Sequence, residues 1–72
     1  MVEVFKTNVN NLRWATATVK ALHSSFYPYK ANFDLEDCDR ILRVESENGT
    51  LKVAALLKFL KERDIQAEVL PD

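Results

Sequence analysis

The sequence predicts an α+β domain in which two helices pack on one face of a four-stranded antiparallel sheet. Four short segments alternate apolar with polar residues or are rich in β-branched residues, as strands are. Two longer segments repeat their apolar residues at steps of three and four, as amphipathic helices do. Their order is strand, helix, strand, strand, helix, strand, which predicts one layer of helices on one sheet.

The first strand is predicted over Val2–Thr7, which is β-branched and alternating. Its inward face stays open at this point, because one row carries Val2 and Val4 and the other carries Phe5 and Val9. A turn then follows at Asn8, Asn10 and Asn11. Asn10 or Asn11 is expected to cap the next helix, because an asparagine oxygen can accept from backbone N–H groups that lack a partner there.

A helical period begins at Leu12 and is expected to end near Tyr27–Pro28, since the residue before a proline avoids helical geometry. Its apolar stripe, which should face the core, consists of Leu12, Ala15, Val19, Leu22 and Phe26. Arg13 and Trp14 lie off this stripe. We therefore expect Leu12 and Ala15 to be core residues, and Arg13 and Trp14 to face outward.

The clearest half-buried strand follows, with its apolar residues at Ala31, Phe33 and Leu35. A polar turn, Glu36–Asp39, separates it from a second strand at Arg40–Glu45. Leu42 and Val44 are expected to point inward from that strand. The two strands together predict an antiparallel hairpin.

The second helix is predicted from about Leu51 to Arg63, with Asn48 or Thr50 as its cap. Its core stripe consists of Val53, Leu56, Leu57 and Leu60, so Phe59 falls outside it. Ile65–Leu70 is the last strand. Right-handed crossovers close this order into a ferredoxin-like βαββαβ sandwich, a single domain over residues 1–72.

This topology brings three connections to one end of the domain: Asn8–Leu12, Glu36–Asp39 and Lys61–Ile65. The connections Tyr27–Lys30 and Ser46–Thr50 lie at the other end. A functional site therefore has two candidate ends. The sheet face away from the helices offers a mixed apolar and charged surface that fits protein contact, such as a homodimer, or simple solvation: Val2, Val4, Lys6, Ile41, Arg43 and Glu45.

Composition argues against several kinds of partner. The net charge is −1 and the charges are scattered, whereas nucleic-acid-binding domains usually carry a basic excess. The longest apolar run, Val53–Leu57, is too short to span a membrane. The single cysteine, Cys38, cannot form an internal disulfide, which fits a reducing compartment. We expect a cytoplasmic protein without nucleic-acid or membrane partners.

Three short segments, taken in order, resemble the heavy-metal-associated domain, the ferredoxin-like module of copper chaperones and metal-pumping ATPases: Val19–Leu22, Asn32–Glu36 and Ile65–Leu70. That family binds metal through Met-x-Cys-x-x-Cys at the first turn. Counting back from Val19 places its cysteines at Leu12 and Ala15, which cannot ligate a metal. The resemblance therefore implies the family's fold without the thiolates that soft cations select.

The family's glycine–aromatic pair before the last strand is also replaced, by Asp64 and Ile65. The best interpretation is a non-enzymatic relative of heavy-metal-associated domains, without cofactor or metal, that acts by contact with another protein or with itself. The residues proposed for its binding surface are Asn10, Asn11, Arg13, Trp14 and Phe59. Trp14 and Phe59 lie toward the same end, where they either form an exposed aromatic patch or seal the groove between the helices.

Two other functions stay open. Cys38 is a weak candidate for a non-standard heavy-metal or small-ligand site, because it lies in an acidic turn at the end where the family holds metal. The acidic residues expected at that end are Glu36, Asp37, Asp39 and Asp64. More remotely, Arg13 beside the helix start suggests an anion-handling enzyme, since acylphosphatases use a comparable position in a similar fold and a helix N-terminus attracts anions.

Overall fold

The chain forms the six predicted elements in the predicted order. A computed structural model describes residues 1–47 and 49–71, so the proposed cap Asn48 lies outside the described residues. The strands are β1 (Val2–Thr7), β2 (Lys30–Asp34), β3 (Ile41–Glu45) and β4 (Ala67–Val69), and the helices are α1 (Leu12–Ser25) and α2 (Val53–Glu62). At α2 the cap position belongs to Lys52, not to Thr50.

The sheet has the strand order β2-β3-β1-β4, and every neighbouring pair is antiparallel. In the middle of the sheet, Phe5 of β1 lies opposite Leu42 of β3 on one side and Val69 of β4 on the other. β2 and β4 are the edge strands. Helix α1 packs against β2 and α2 packs against β4. This is the ferredoxin-like arrangement, so the predicted fold class is confirmed.

The core lies between the sheet and the two helices. Its largest buried side chains come from every layer of the fold: Phe5, Leu22, Leu42, Leu56, Leu60 and Ile65. Leu42 and Val44 point inward as predicted. The face of β1 that carries Phe5 points toward the core, because Phe5 and Val9 are fully buried while Val2 is exposed. Burying a large apolar side chain contributes roughly 1.5–3 kcal/mol, so this cluster supplies most of the drive to fold.

The predicted core stripe of α1 is wrong at its first residue. Leu12 keeps 75% of its surface exposed, whereas Ala15 is only 3% exposed. Thr18, 2% exposed, takes a core position instead, because its hydroxyl donates to the Trp14 carbonyl at 2.8 Å and so needs no water. The buried face of α1 is therefore rotated toward Thr18, and Leu12 is left outside it.

Apart from glycine, two of the described residues adopt the left-handed backbone region, which is unusual for residues with a Cβ. Arg40 (φ 46°) lies in the β2–β3 turn, so β3 begins at Ile41 and not at Arg40 as predicted. Asp64 (φ 62°) ends α2. Its N–H donates to the Lys61 carbonyl at 3.0 Å, and the next N–H, of Ile65, donates to Leu60 at 2.9 Å. This is a Schellman motif, in which glycine is the usual residue at the position of Asp64.

Candidate functional site

The three connections predicted to meet at one end of the domain are joined there by hydrogen bonds. The Thr7 hydroxyl donates to the Arg40 carbonyl at 2.6 Å and accepts from the Val9 N–H at 3.2 Å. The Asn8 side-chain oxygen accepts from the Gln66 N–H at 3.0 Å. The buried Thr7 and the exposed Asn8 thus hold the first turn to the β2–β3 turn and to the start of β4. Their polar groups serve the fold.

Asn11, and not Asn10, caps helix α1. The Asn11 side-chain oxygen accepts from the Trp14 N–H at 2.8 Å, which satisfies one of the free donors at the helix start. Asn10 is exposed and accepts only a long contact of 3.4 Å from the Asn11 amide. Arg13 is exposed in the first turn, where no acidic residue accompanies it. This arrangement can attract an anion but brings no acid or base to it.

The turn around Cys38 gathers three groups that could bind a cation. The ligand atoms of Asp37, Cys38 and Asp39 lie within 4.8 Å of one another. The Asp37 carboxylate also accepts from the Asp39 N–H at 2.9 Å, and Lys6 Nζ lies 3.8 Å from Asp39 Oδ1. The cysteine is exposed. Three donors within one turn are fewer than the four of a structural zinc site, and only one of them is a thiolate.

Met1 and His23, the other residues with soft or nitrogen ligands, lie at the opposite end of the domain. The Met1 ammonium donates to the Ser46 carbonyl at 2.8 Å, and His23 Nε2 accepts from the Ala31 N–H at 3.0 Å. They are therefore too distant to complete a coordination shell around Cys38.

Trp14 and Phe59 line one cleft, of about 610 Å³, which separates the two helices. Both side chains are half-buried and pack against the core. The Phe59 and Phe26 rings are nearly perpendicular, with their centroids 5.4 Å apart, and the Arg63 guanidinium lies 4.9 Å from the Phe59 centroid. Phe59 therefore already has partners within the chain, and both aromatic residues help to close the space between the helices.

A second depression, which the sequence did not indicate, lies on the other flank of α1. We call it the α1–β2 groove; its volume is about 240 Å³. Apolar residues from both sides line it: Leu12, Ala15 and Val19 of α1, and Ala31, Phe33 and Leu35 of β2 and the residue after it. The exposed Leu12 stands at one end. The signal that could have pointed to this groove is the position of β2 at the edge of the sheet, because in this topology only one helix covers the inner face of an edge strand.

The outer edge of β2 borders the α1–β2 groove. β2 pairs with β3 on one side only. The Ala31 N–H points to the other side, where it donates to His23. Because backbone groups of alternate residues face the same way in a strand, the N–H and C=O of Phe33 also point away from β3. The groove is thus flanked by backbone groups that can pair with a further strand.

On the outer face of the sheet, the residues predicted for that face lie opposite one another across β1 and β3. Val2 lies opposite Glu45, Val4 opposite Arg43, and Lys6 opposite Ile41. Ile41 is nevertheless buried, so the predicted open face is interrupted there. This leaves a face that is more charged than apolar.

The chain matches no protein-family model, no curated protein and no solved structure. Its resemblance to heavy-metal-associated domains therefore stays a prediction from the sequence, while the ferredoxin-like topology rests on the structure. Within residues 1–47 and 49–71, neither helix combines the length and the apolar character needed to cross a membrane.

Proposed function

We propose that the protein is a non-enzymatic module that acts by contact with another polypeptide. In this proposal the partner is an extended segment that pairs with the outer edge of β2 and places alternate apolar side chains in the α1–β2 groove. This mode of recognition is strand addition, in which main-chain hydrogen bonds give affinity and pockets for alternate side chains give specificity.

The observation that carries the proposal is the exposure of Leu12, 75%, beside an apolar groove and an unpaired strand edge. Covering a leucine side chain is worth roughly 1.5–3 kcal/mol, so a partner that covers Leu12 gains substantially. The edge of β2 supplies directional bonds at the same place. Apolar surface and free backbone groups are the two requirements of strand addition.

The size of the groove favours side chains over a small molecule. Its volume of about 240 Å³ lies below the roughly 300–1,000 Å³ typical of small-molecule sites. The larger cleft between the helices is bordered by the exposed charged residues Glu62, Arg63 and Asp64. Such a polar rim is typical of a solvated surface.

Metal binding at the Asp37–Asp39 turn is the second candidate, favoured by the short distances among its three donor groups. Titration with Zn²⁺ and with Cu(I), on the wild type and on Cys38→Ser, separates the two functions. We expect no submicromolar 1:1 binding by the wild type. Binding of that strength, lost in Cys38→Ser, would favour the metal function instead.

A peptide titration followed by amide NMR shifts tests the proposed contact. The probe is a capped seven-residue peptide that alternates valine with threonine. We expect saturable shifts at Leu12, Val19, Ala31 and Phe33, and their loss when the central peptide nitrogen is methylated. Leu12→Asp should abolish the shifts without unfolding the domain, because an acidic residue suits the first turn of a helix.

Ala17→Asp is the matched control, since Ala17 is exposed on α1 but does not line the groove. It should bind the peptide as the wild type does. The proposal is wrong if neither the peptide nor a second copy of the chain perturbs the residues of the α1–β2 groove.

A further inference from the structure

We propose that the polypeptide bound at the α1–β2 groove is strand β2 of a second copy of this chain. The inference rests on the function proposed above and names its partner. The two β2 strands run antiparallel about a two-fold axis at Asn32, which joins two four-stranded sheets into one sheet of eight strands.

The backbone permits this register. Ala31 and Phe33 direct their N–H and C=O groups to the free edge, as the bond from Ala31 to His23 shows. With Asn32 on the axis, Ala31 of one copy faces Phe33 of the other, so outward-facing groups meet outward-facing groups. This register also overlaps all five residues of β2, more than any other two-fold register of the strand.

The charges of β2 are complementary to themselves in this register. Lys30 of each copy lies directly opposite Asp34 of the other, so two ion pairs form across the axis and no like charges face each other. Lys30 now pairs with Glu47 at 3.0 Å, and the two side chains are 68% and 70% exposed. An ion pair this exposed contributes little to stability, so Lys30 can exchange Glu47 for another partner at little cost.

The side chains on the helix side are complementary in size. Ala31 of one copy faces Phe33 of the other, so a small residue stands opposite a ring. Both residues line the α1–β2 groove of their own copy. Each Phe33 therefore extends the apolar wall of the neighbouring groove.

His23 occupies part of the edge in the single chain. Its Nε2 accepts the Ala31 N–H that would donate to the Phe33 carbonyl of the second copy. His23 is exposed on α1, so its side chain can turn away at little cost. We infer that His23 weakens the pairing, and that His23→Ala tightens the dimer by on the order of tenfold, since two hydrogen bonds per dimer are released to the interface.

Sedimentation equilibrium of the full chain, from micromolar to millimolar concentration, measures the pairing. The wild type should pass from 8.3 kDa toward twice that mass, and His23→Ala should do so at lower concentration. Lys30→Asp alone and Asp34→Lys alone should each stay monomeric, because like charges then face each other across the axis. Their equimolar mixture should form a heterodimer, because each copy then carries the charges that the other lacks.

Glu68→Lys is the matched control, because it makes the same reversal of charge on the outer face of the opposite edge strand. It should dimerise like the wild type. Circular dichroism confirms that each variant is folded, and the mixture provides the decisive result even if one variant is less stable.

The outcomes separate this inference from the function on which it rests. A wild type that stays monomeric at millimolar concentration, or a mixture that does not associate, overturns the self-pairing. If the valine–threonine peptide still shifts the groove residues, the proposed contact function survives that result. If the peptide is silent and any dimer ignores the charges of β2, both proposals are wrong.

Discussion

The two flanks of helix α1 use their apolar side chains differently. On the flank toward α2, Phe59 is held between Phe26 and Arg63, and Trp14 packs against the core. On the flank toward β2, Leu12 is exposed beside a groove whose strand lacks a second neighbour. On the first flank, the aromatic side chains make their contacts within the chain. The second leaves apolar surface and the backbone edge of β2 exposed, so the surface that we propose for contact is marked by Leu12 and β2 and not by the large aromatic residues.

The largest expected difference between the flanks is in stability. Phe59→Ala should lower the free energy of unfolding by about 2–3 kcal/mol, somewhat less than for a fully buried phenylalanine. Leu12→Ala, which also removes a large apolar side chain, should change it by less than about 0.5 kcal/mol, because its surface is already in water. Urea denaturation followed by circular dichroism measures both. Equal losses in the two variants would contradict the distinction.

The start of α1 provides the next test, because the cap fixes where Leu12 stands. Asn11→Ala should cost about 1 kcal/mol of stability, since the Trp14 N–H loses its acceptor. Asn10→Ala is the control, and it should cost less than about 0.5 kcal/mol because Asn10 makes only the 3.4 Å contact. The same denaturation experiment compares them. A larger loss of stability in Asn10→Ala than in Asn11→Ala would show that Asn10, and not Asn11, caps the helix.

Asp64, on the rim of the cleft between the helices, should be a site of stored backbone strain. Asp64→Gly is expected to raise stability by about 0.5–1 kcal/mol, because glycine adopts a φ of 62° without penalty. Asp64→Ala keeps a Cβ and should give no gain. Thermal unfolding distinguishes the two variants. A loss of stability in Asp64→Gly would show that the Schellman turn is not strained.

The smallest expected effect concerns Lys30, on the side of β2. A hydrogen bond to Glu47, and then the charge of Glu47, raise the pKa of Lys30 above its ordinary value. A raised lysine pKa means that the pair stabilises the fold at neutral pH, and that this contribution disappears as the pH rises through the raised pKa. Glu47→Gln should bring the pKa of Lys30 down, as NMR titration of its side chain can measure. An unchanged pKa would mean that the pair does not persist in solution.

Sequence patterns were sufficient for the fold because periodicity and turn chemistry agree along the chain. The alternation at Ala31 and Phe33, the inward Leu42 and Val44, and the cap near Asn11 all follow from local rules. Helical periodicity could not predict that Leu12 is exposed. It does not show that the Thr18 hydroxyl bonds to the Trp14 carbonyl, which lets Thr18 take a core position. Arg40 was assigned to β3 because sequence alone does not reveal its left-handed turn geometry.

The candidate site was harder to predict than the fold. The prediction correctly brought three connections together at the end of the domain that contains the first turn. It missed the α1–β2 groove, because that surface depends on which strand lies at the edge and on how far one helix covers it. Both are properties of the assembled sheet. No single residue in the sequence carries them.

Hydrogen exchange of the Phe33 amide measures whether the edge of β2 is a contact surface. We expect this amide to exchange rapidly in dilute protein and more slowly as protein concentration rises. The Asn32 amide, which faces β3, serves as the internal reference and should exchange at a constant rate. A Phe33 exchange rate that is independent of both protein concentration and added valine–threonine peptide would show that the edge of β2 is not a contact surface.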